Sequence, residues 1–136
     1  MKISKRLVIL LTCILLVGVA SLALCSGRKP FRDLKPSDIV SAAVRLVPPD
    51  ETIPIVEIKE LTSYLNDVVI YNKDNSYADY SGQGVIFSLK LADGTQKEIM
   101  AYNPFLVIDG VGYKTKYEPC EVLSSYANRL LRNKNK

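Results

Sequence analysis

VIFSLKLADGTQKEIMAYN, residues 85–103, contains the pattern that decides the fold. Val85, Phe87 and Leu89 recur at every second position, and this period of two predicts a strand with one buried face. Asp93-Gly94 then interrupts the pattern, and glycine accepts the positive φ that a tight hairpin turn requires. Residues 95–103 are therefore predicted to fold back as the antiparallel partner of the first strand.

Two short strands and a helix are predicted upstream of this hairpin. Residues 39–47 alternate in polarity, and Pro48-Pro49 separates them from a second strand at residues 52–56. Residues 57–68 change to helical spacing. The residues predicted to face the core are Val40, Ala42, Val44 and Leu46 in the first strand and Ile58, Leu61, Leu65 and Val68 in the helix.

Two more strands and a second helix are predicted downstream. Asn103-Pro104 is expected to bend or interrupt the ladder, because proline has no N–H to donate. Residues 105–108 resume the strand pattern, and Asp109-Gly110 predicts another hairpin, into a strand at residues 112–117. Pro119 lies in the first turn of a helix with an apolar face.

These elements predict an α+β fold. Local hairpins favour an antiparallel sheet, here of about five to six strands, with two helices packed on one face. We expect an N-terminal transmembrane or signal helix before it. The predicted organisation is a signal peptide or membrane anchor at residues 1–25, a linker at 26–36 and a single domain at 37–136.

The N-terminus has the composition of an export signal. Lys2, Lys5 and Arg6 precede 19 uncharged residues, 7–25, which we expect to meet the membrane first. Three fates stay open for this segment. It is cleaved after Ala23 and the domain is secreted, Cys25 is lipidated, or the helix is retained as an anchor, since about 19 apolar residues just span a bilayer core. In each case the domain is expected on the extracellular side.

Composition removes several function classes. Three of the 18 Lys and Arg residues lie in the leader, so the rest of the chain has a net charge of +1, and we expect no nucleic-acid partner. The chain has no His, which excludes His-dependent catalytic triads and His-based zinc motifs. We therefore expect no catalytic residues, no metal site and no cofactor.

Tyrosine supplies the remaining candidate site. The chain has eight Tyr and no Trp, and Tyr71, Tyr77 and Tyr80 surround the polar loop at residues 72–84. Tyrosine joins a broad apolar ring to a hydroxyl that tolerates water, which suits contact with carbohydrate, peptide or protein. Asp74 and Asp79 of the same loop complete the predicted ligand-binding set. Packing alone also places tyrosines in strands, so each ring has a structural explanation as well.

The body of the chain also resembles a known family. FRDLKPSDIVSAAVRLVPPDETI, LNDVVIYNKDNSYADYSGQ and LADGTQKEIMAYNPFLVIDGVGYKTKYEPCEVLSSYANRLL, at residues 31–53, 65–83 and 91–131, are similar to an uncharacterised domain of small exported proteins from clostridial-type Gram-positive bacteria. Similar domains are attached to BlaR-like membrane metallopeptidases, which implies a sensory or binding role outside the cell. The resemblance assigns no functional residue.

The sequence therefore predicts an exported, membrane-tethered, non-catalytic binding or sensory domain for a protein or cell-envelope ligand. One alternative is an accessory or inhibitory domain of an envelope peptidase. Another is an enzyme that uses carboxylates such as Asp74 and Asp79. Secretion without a membrane tether is the alternative localisation.

Overall fold

The computed structural model describes residues 2–136, and the side chains of residues 21–25 lie outside what it describes. Seven strands form one sheet in the order β2-β1-β4-β5-β6-β7-β3, and every neighbouring pair is antiparallel. The strands are β1 Ile39–Val47, β2 Glu51–Ile55, β3 Ile70–Lys73, β4 Gly84–Leu91, β5 Gln96–Tyr102, β6 Phe105–Ile108 and β7 Val111–Thr115. The helices are α1 Lys5–Cys25, α2 Ile58–Asn66 and α3 Tyr117–Lys134.

The α+β class and the antiparallel sheet are confirmed, whereas the count of five to six strands is wrong, because the sheet has seven. The additional strand is β3, which pairs with β7 at one edge of the sheet. Its last two residues, Asn72 and Lys73, were predicted as part of the polar loop, and its apolar Ile70 alone does not form a periodic pattern. Besides the two helices on the sheet, the structure has the helix α1 at the N-terminus.

The N-terminal helix α1 is where the sequence predicts a transmembrane segment. A bilayer core of about 30 Å requires about 20 apolar residues in one helix. In the part of the chain that the structure describes, no helix is long and apolar enough to cross a membrane. The side chains of α1 that are described, through Ala20, are exposed, and the predicted lipidation site Cys25 lies outside the described side chains.

One core lies between the sheet and the helices α2 and α3. Leu61 and Leu65 of α2, and Leu123 and Ala127 of α3, belong to the same buried cluster. The strands contribute their inward-facing alternate residues to it, including Val44, Leu46, Val85, Phe87, Leu89, Ile99, Ala101 and Leu106. Both helices therefore pack on one face of the sheet, as predicted.

Residues 28–34, expected to be linker, are built into this fold. The backbone of Arg28 exchanges two hydrogen bonds with Ile70, at 2.8 and 2.9 Å. The Phe31 side chain is buried in the core, and the Asn66 side chain donates to the carbonyl oxygens of Phe31 and Leu34. The segment before β1 thus covers the end of α2 and the β3 edge.

Candidate functional site

The polar loop at residues 74–83 lies on the sheet face opposite the helices. Leu106 belongs to the helix-side core, so its strand neighbours Phe105 and Val107 point to the other face, where both are buried. The rings of Tyr77 and Tyr80 lie over Phe105, with centroids 6.5 and 5.3 Å away. The structure therefore brings two of the three predicted tyrosines together on one aromatic side chain.

Backbone hydrogen bonds at Gly112 hold the loop against the β6–β7 hairpin. The Asp74 N–H donates to the Gly112 carbonyl oxygen, and the Gly112 N–H donates to Asn75 Oδ1, both at 2.8 Å. A Cβ at position 112 would lie 2.4 Å from the Asp74 carbonyl oxygen and 2.6 Å from Tyr77 Cδ1. Only glycine permits this close approach.

Both carboxylate oxygens of Asp74 have partners in this arrangement. The Ser76 N–H donates to its Oδ1 at 2.9 Å, and Lys114 Nζ lies 3.7 Å from its Oδ2. Hydrogen bonds from Ser76, and then the charge of Lys114, hold the pKa of Asp74 below its usual range. Lys114 Nζ also lies 4.4 Å from the centroid of the Phe105 ring. Asp74 therefore anchors the loop.

The other two predicted residues have different positions. Tyr71 lies on the edge strand β3, where its ring faces Gly27, and a Cβ at Gly27 would lie 2.8 Å from Tyr71 Cε1. Asp79 ends a short 3-10 turn, Ser76–Asp79, and its side chain is exposed. The structure thus places Tyr77 and Tyr80 over Phe105. Asp74 is connected to that ring through Lys114, and Tyr71 is not brought to this group.

Beside Tyr80, a cleft opens where the end of the loop, the end of β5 and α3 meet. We name it the Tyr80 cleft. Its volume is about 250 Å³, and the Tyr80 side chain is 57% exposed at its margin. The lining combines the rings of Tyr80 and Tyr102 with the polar side chains of Ser81, Gln83, Asn103, Glu121 and Ser124.

Side-chain amides fix the walls of the Tyr80 cleft. Gln83 and Asn128 form a reciprocal amide pair, with N···O distances of 2.9 and 3.3 Å, which fastens the loop to α3. Asn103 Nδ2 donates to Glu121 Oε2 and to the Tyr117 carbonyl oxygen, both at 3.2 Å. Asn103 Oδ1 is buried and has no hydrogen-bond partner among the described residues. The cleft is therefore polar and held in one shape.

Gln83, Asn103 and Glu121 belong to this site but were not among the residues predicted for it. Gln83 and Asn128 are 45 residues apart, and Asn103 and Glu121 are 18 apart, so no local pattern relates them. The one available signal was Asn103-Pro104, which proves to be the two-residue turn joining β5 to β6. We expected a break in the ladder there, whereas the turn places Asn103 at the end of the sheet beside α3.

Cys120 lies near the N-terminus of α3, on the side that faces the sheet, and is fully buried. Its Sγ lies 3.6 Å from the Phe105 carbonyl oxygen, and burial raises the pKa of the thiol to about 12. The dipole of the helix N-terminus therefore does not produce a thiolate here. Among the side chains that the structure describes, no group of three or more Cys, Asp or Glu is placed to hold a metal ion.

Comparisons of the chain with protein-family models, with curated proteins and with solved structures found no match. The arrangement of the Tyr80 cleft is therefore the basis for a functional hypothesis.

Proposed function

We propose that the protein is an exported binding domain that holds a glycan of the cell wall at the Tyr80 cleft and performs no chemistry itself. One observation carries the proposal. The exposed ring of Tyr80 rests on Phe105 beside a cleft lined by fixed amide, hydroxyl and carboxylate groups. An aromatic face beside polar groups of fixed direction suits a ligand that is itself flat on one side and rich in hydroxyls.

The size of the cleft limits what enters it. Pockets for drug-sized molecules have volumes of about 300–1,000 Å³, and the Tyr80 cleft, at about 250 Å³, is smaller. One sugar ring fills such a volume, and the rest of a polymer lies along the open surface. Affinity then comes from repeated or extended contact rather than from enclosure.

The state of the Asp74 carboxylate favours binding over catalysis. A general acid or base works best when its pKa lies near the working pH. Hydrogen bonds from Ser76 hold the pKa of Asp74 below the usual value, which moves it away from neutrality, and the carboxylate already faces Lys114. The alternative of a carboxylate enzyme has no comparable support.

Export is the part of the proposal that rests on residues 1–25 and on the family resemblance. The basic start and apolar run favour an export signal, followed by release after Ala23 or lipid attachment at Cys25. The intact mass of the protein recovered from its host distinguishes these two fates. A diacylglyceryl group on an N-terminal Cys25 or a new N-terminus at Leu24 supports export, whereas an unprocessed chain recovered from the cytosol contradicts it.

Co-sedimentation with purified cell-wall sacculi tests the binding site. The full chain in mild detergent is compared with Tyr80→Ala and with the control Tyr71→Ala, which removes another exposed tyrosine that does not line the cleft. We expect Tyr80→Ala to weaken binding about tenfold, which corresponds to about 1.4 kcal/mol, and Tyr71→Ala to bind like the wild type.

Two results would reject the proposed site. Equal losses in the two tyrosine variants would mean that binding does not depend on the cleft. No binding to sacculi, together with stoichiometric recovery of a membrane peptidase on the tagged wild type, would replace the glycan with a protein partner and favour the accessory-domain alternative.

A further inference from the structure

The outer face of α3 carries a row of exposed residues that we name the α3 stripe. Its members are Glu118, Glu121, Val122, Ser125, Arg129 and Arg132, all of them exposed. They recur at intervals of three and four residues, so they lie along one side of the helix. With nearby tyrosines the stripe lines a groove of about 480 Å³.

The stripe has opposite charges at its two ends. Glu118 and Glu121 lie in the first part of α3, and Arg129 and Arg132 lie in the last part. Ser125 is at the centre, because Glu118 and Arg132 are each seven residues from it and Glu121 and Arg129 are each four. A second copy of the helix, rotated by half a turn about an axis at Ser125, therefore places a glutamate opposite an arginine in two different pairs of positions.

We propose that two copies of this chain associate through the α3 stripe, with their α3 helices antiparallel and a two-fold axis at Ser125. Glu118 then faces Arg132 of the partner subunit, and Glu121 faces Arg129 of the partner subunit. A two-fold axis repeats each contact, so one stripe supplies both halves of an isologous interface. The antiparallel arrangement also opposes the two helix macrodipoles.

The side chains at the stripe suit this close packing. Packed helices lie about 8–10 Å apart, and the small Ser125 at the crossing point allows that approach. Val122, which is 41% exposed, and Tyr117, which is 59% exposed, supply apolar area beside the charges. Glutamate and arginine side chains are long enough to meet across the remaining distance.

Of the two pairs, Glu118 with Arg132 gives the clearer test of the interface. Arg129 already contacts Glu60 of α2, and Glu121 accepts a hydrogen bond from Asn103. Glu118 and Arg132 make no ion pair or hydrogen bond within the described chain, so the dimer contact would be their principal interaction.

Dimerisation would also place two Tyr80 clefts beside one interface, since Glu121 belongs both to the cleft and to the stripe. Two sites on one particle would bind a polymer with avidity. This consequence rests on the proposed function, whereas the dimer itself does not.

Charge reversal tests the pairing directly. The full chain is examined by analytical ultracentrifugation in mild detergent as wild type, Glu118→Arg, Arg132→Glu and the double variant. The control is Lys90→Glu, which reverses an exposed charge on β4, away from the stripe. We expect the wild type and the control to be dimers, and each single stripe variant to be a monomer because like charges then face each other.

Two rescue experiments complete the design. The double variant restores opposite charges and is expected to dimerise. An equimolar mixture of the two single variants is expected to form a heterodimer, because each then offers the charge that the other requires. Dissociation of the wild type in about 1 M NaCl is expected too, since charges are screened beyond about 3 Å there.

A monomeric wild type at low salt would overturn the proposal. So would a dimer that persists in both single variants, because its interface would then lie elsewhere, for example on α1, which is identical in all variants.

Discussion

At the scale of single residues, Tyr126 combines tight packing with an unsatisfied hydroxyl. The side chain is 3% exposed, and its ring stacks on Phe87 at 6.4 Å and tilts against Tyr64 at 5.3 Å. Its hydroxyl has no hydrogen-bond partner among the described residues, and burial raises its pKa to about 12. A buried donor without an acceptor costs stability.

Tyr126→Phe is therefore expected to raise the free energy of unfolding by about 1 kcal/mol, because it removes the unpaired hydroxyl and keeps the ring. Tyr64→Phe is the matched control, since the Tyr64 hydroxyl donates to Glu60 Oε1 at 2.9 Å. The control is expected to be slightly destabilised. Urea denaturation measures both, and a destabilised Tyr126→Phe would mean that the hydroxyl has a partner.

Asp109 is one of the carboxylates that link stability to pH. Its Oδ1 accepts the Glu98 N–H at 2.8 Å and its Oδ2 lies 3.0 Å from Lys97 Nζ. The hydrogen bond from Glu98, and then Lys97, lower the pKa of Asp109 in the folded state. Ionised Asp109 therefore stabilises the fold above its unfolded pKa of about 3.9, and that stabilisation is lost as the pH falls through the lower folded pKa.

Asp109→Asn tests this linkage and retains a residue that tolerates the positive φ of 49° at this turn. We expect the wild type to be more stable than the variant at about pH 7 and the difference to shrink towards about pH 2, because protonation of Asp109 removes the charge that Asn lacks. Denaturation at the two pH values measures it. If the difference in stability between the two proteins does not change with pH, the geometry of the turn and not the charge of Asp109 causes it.

At the scale of elements, a bulge in β1 reverses the predicted direction of one side chain. Ile39 pairs with Leu91 and Ser41 pairs with Lys90, so the register shifts between them. Val40 is consequently 62% exposed, although the alternating pattern predicts it in the core, and Ile39 is buried at 7%. The pattern could not reveal this because an extra residue changes the phase of every position on one side of it.

Ile39→Ala is expected to lower the free energy of unfolding by about 2–4 kcal/mol, through lost burial and a residual cavity. Val40→Ala is expected to change it by less than about 0.5 kcal/mol, as for other exposed positions. Chemical denaturation of both variants compares them. A larger loss of stability in Val40→Ala than in Ile39→Ala would mean that β1 has no bulge at this point and that Val40 faces the core.

The contact between the loop and the β6–β7 hairpin depends on Gly112. Gly112→Ala places a Cβ 2.4 Å from the Asp74 carbonyl oxygen, so the loop must move and uncover Phe105. We expect a loss of about 1–3 kcal/mol in stability and faster proteolysis within residues 74–83. Gly84→Ala is the control, because its Cβ would meet nothing closer than 3.7 Å. Equal effects of the two substitutions would show that the loop is not held at Gly112.

At the scale of the whole molecule, features set by adjacent residues were predictable and features set by distant ones were not. Asp93-Gly94 and Asp109-Gly110 specify their turns locally, and both hairpins are confirmed, with φ values of 88° at Gly94 and 84° at Gly110. The pairing of β3 with β7 joins Ile70 to Thr115, which no local pattern relates.

The candidate site shows the same division. The loop residues Tyr77, Tyr80 and Asp74 were predictable as a group because they are close in sequence. The contact of the two tyrosines with Phe105 was not, because β6 is buried on both faces and its sequence does not show which side faces the helices. The amide contacts around the Tyr80 cleft likewise depend on the folded topology.

An NMR titration of the isotope-labelled full chain with soluble peptidoglycan fragments tests the central claim most directly. We expect backbone amide shifts to concentrate on residues 80–83, 102–103 and 121–124, around the Tyr80 cleft, and we expect Tyr80→Ala to abolish them. Shifts confined to other surfaces, or an unchanged spectrum at saturating fragment, would contradict the claim that this cleft binds cell-wall glycan.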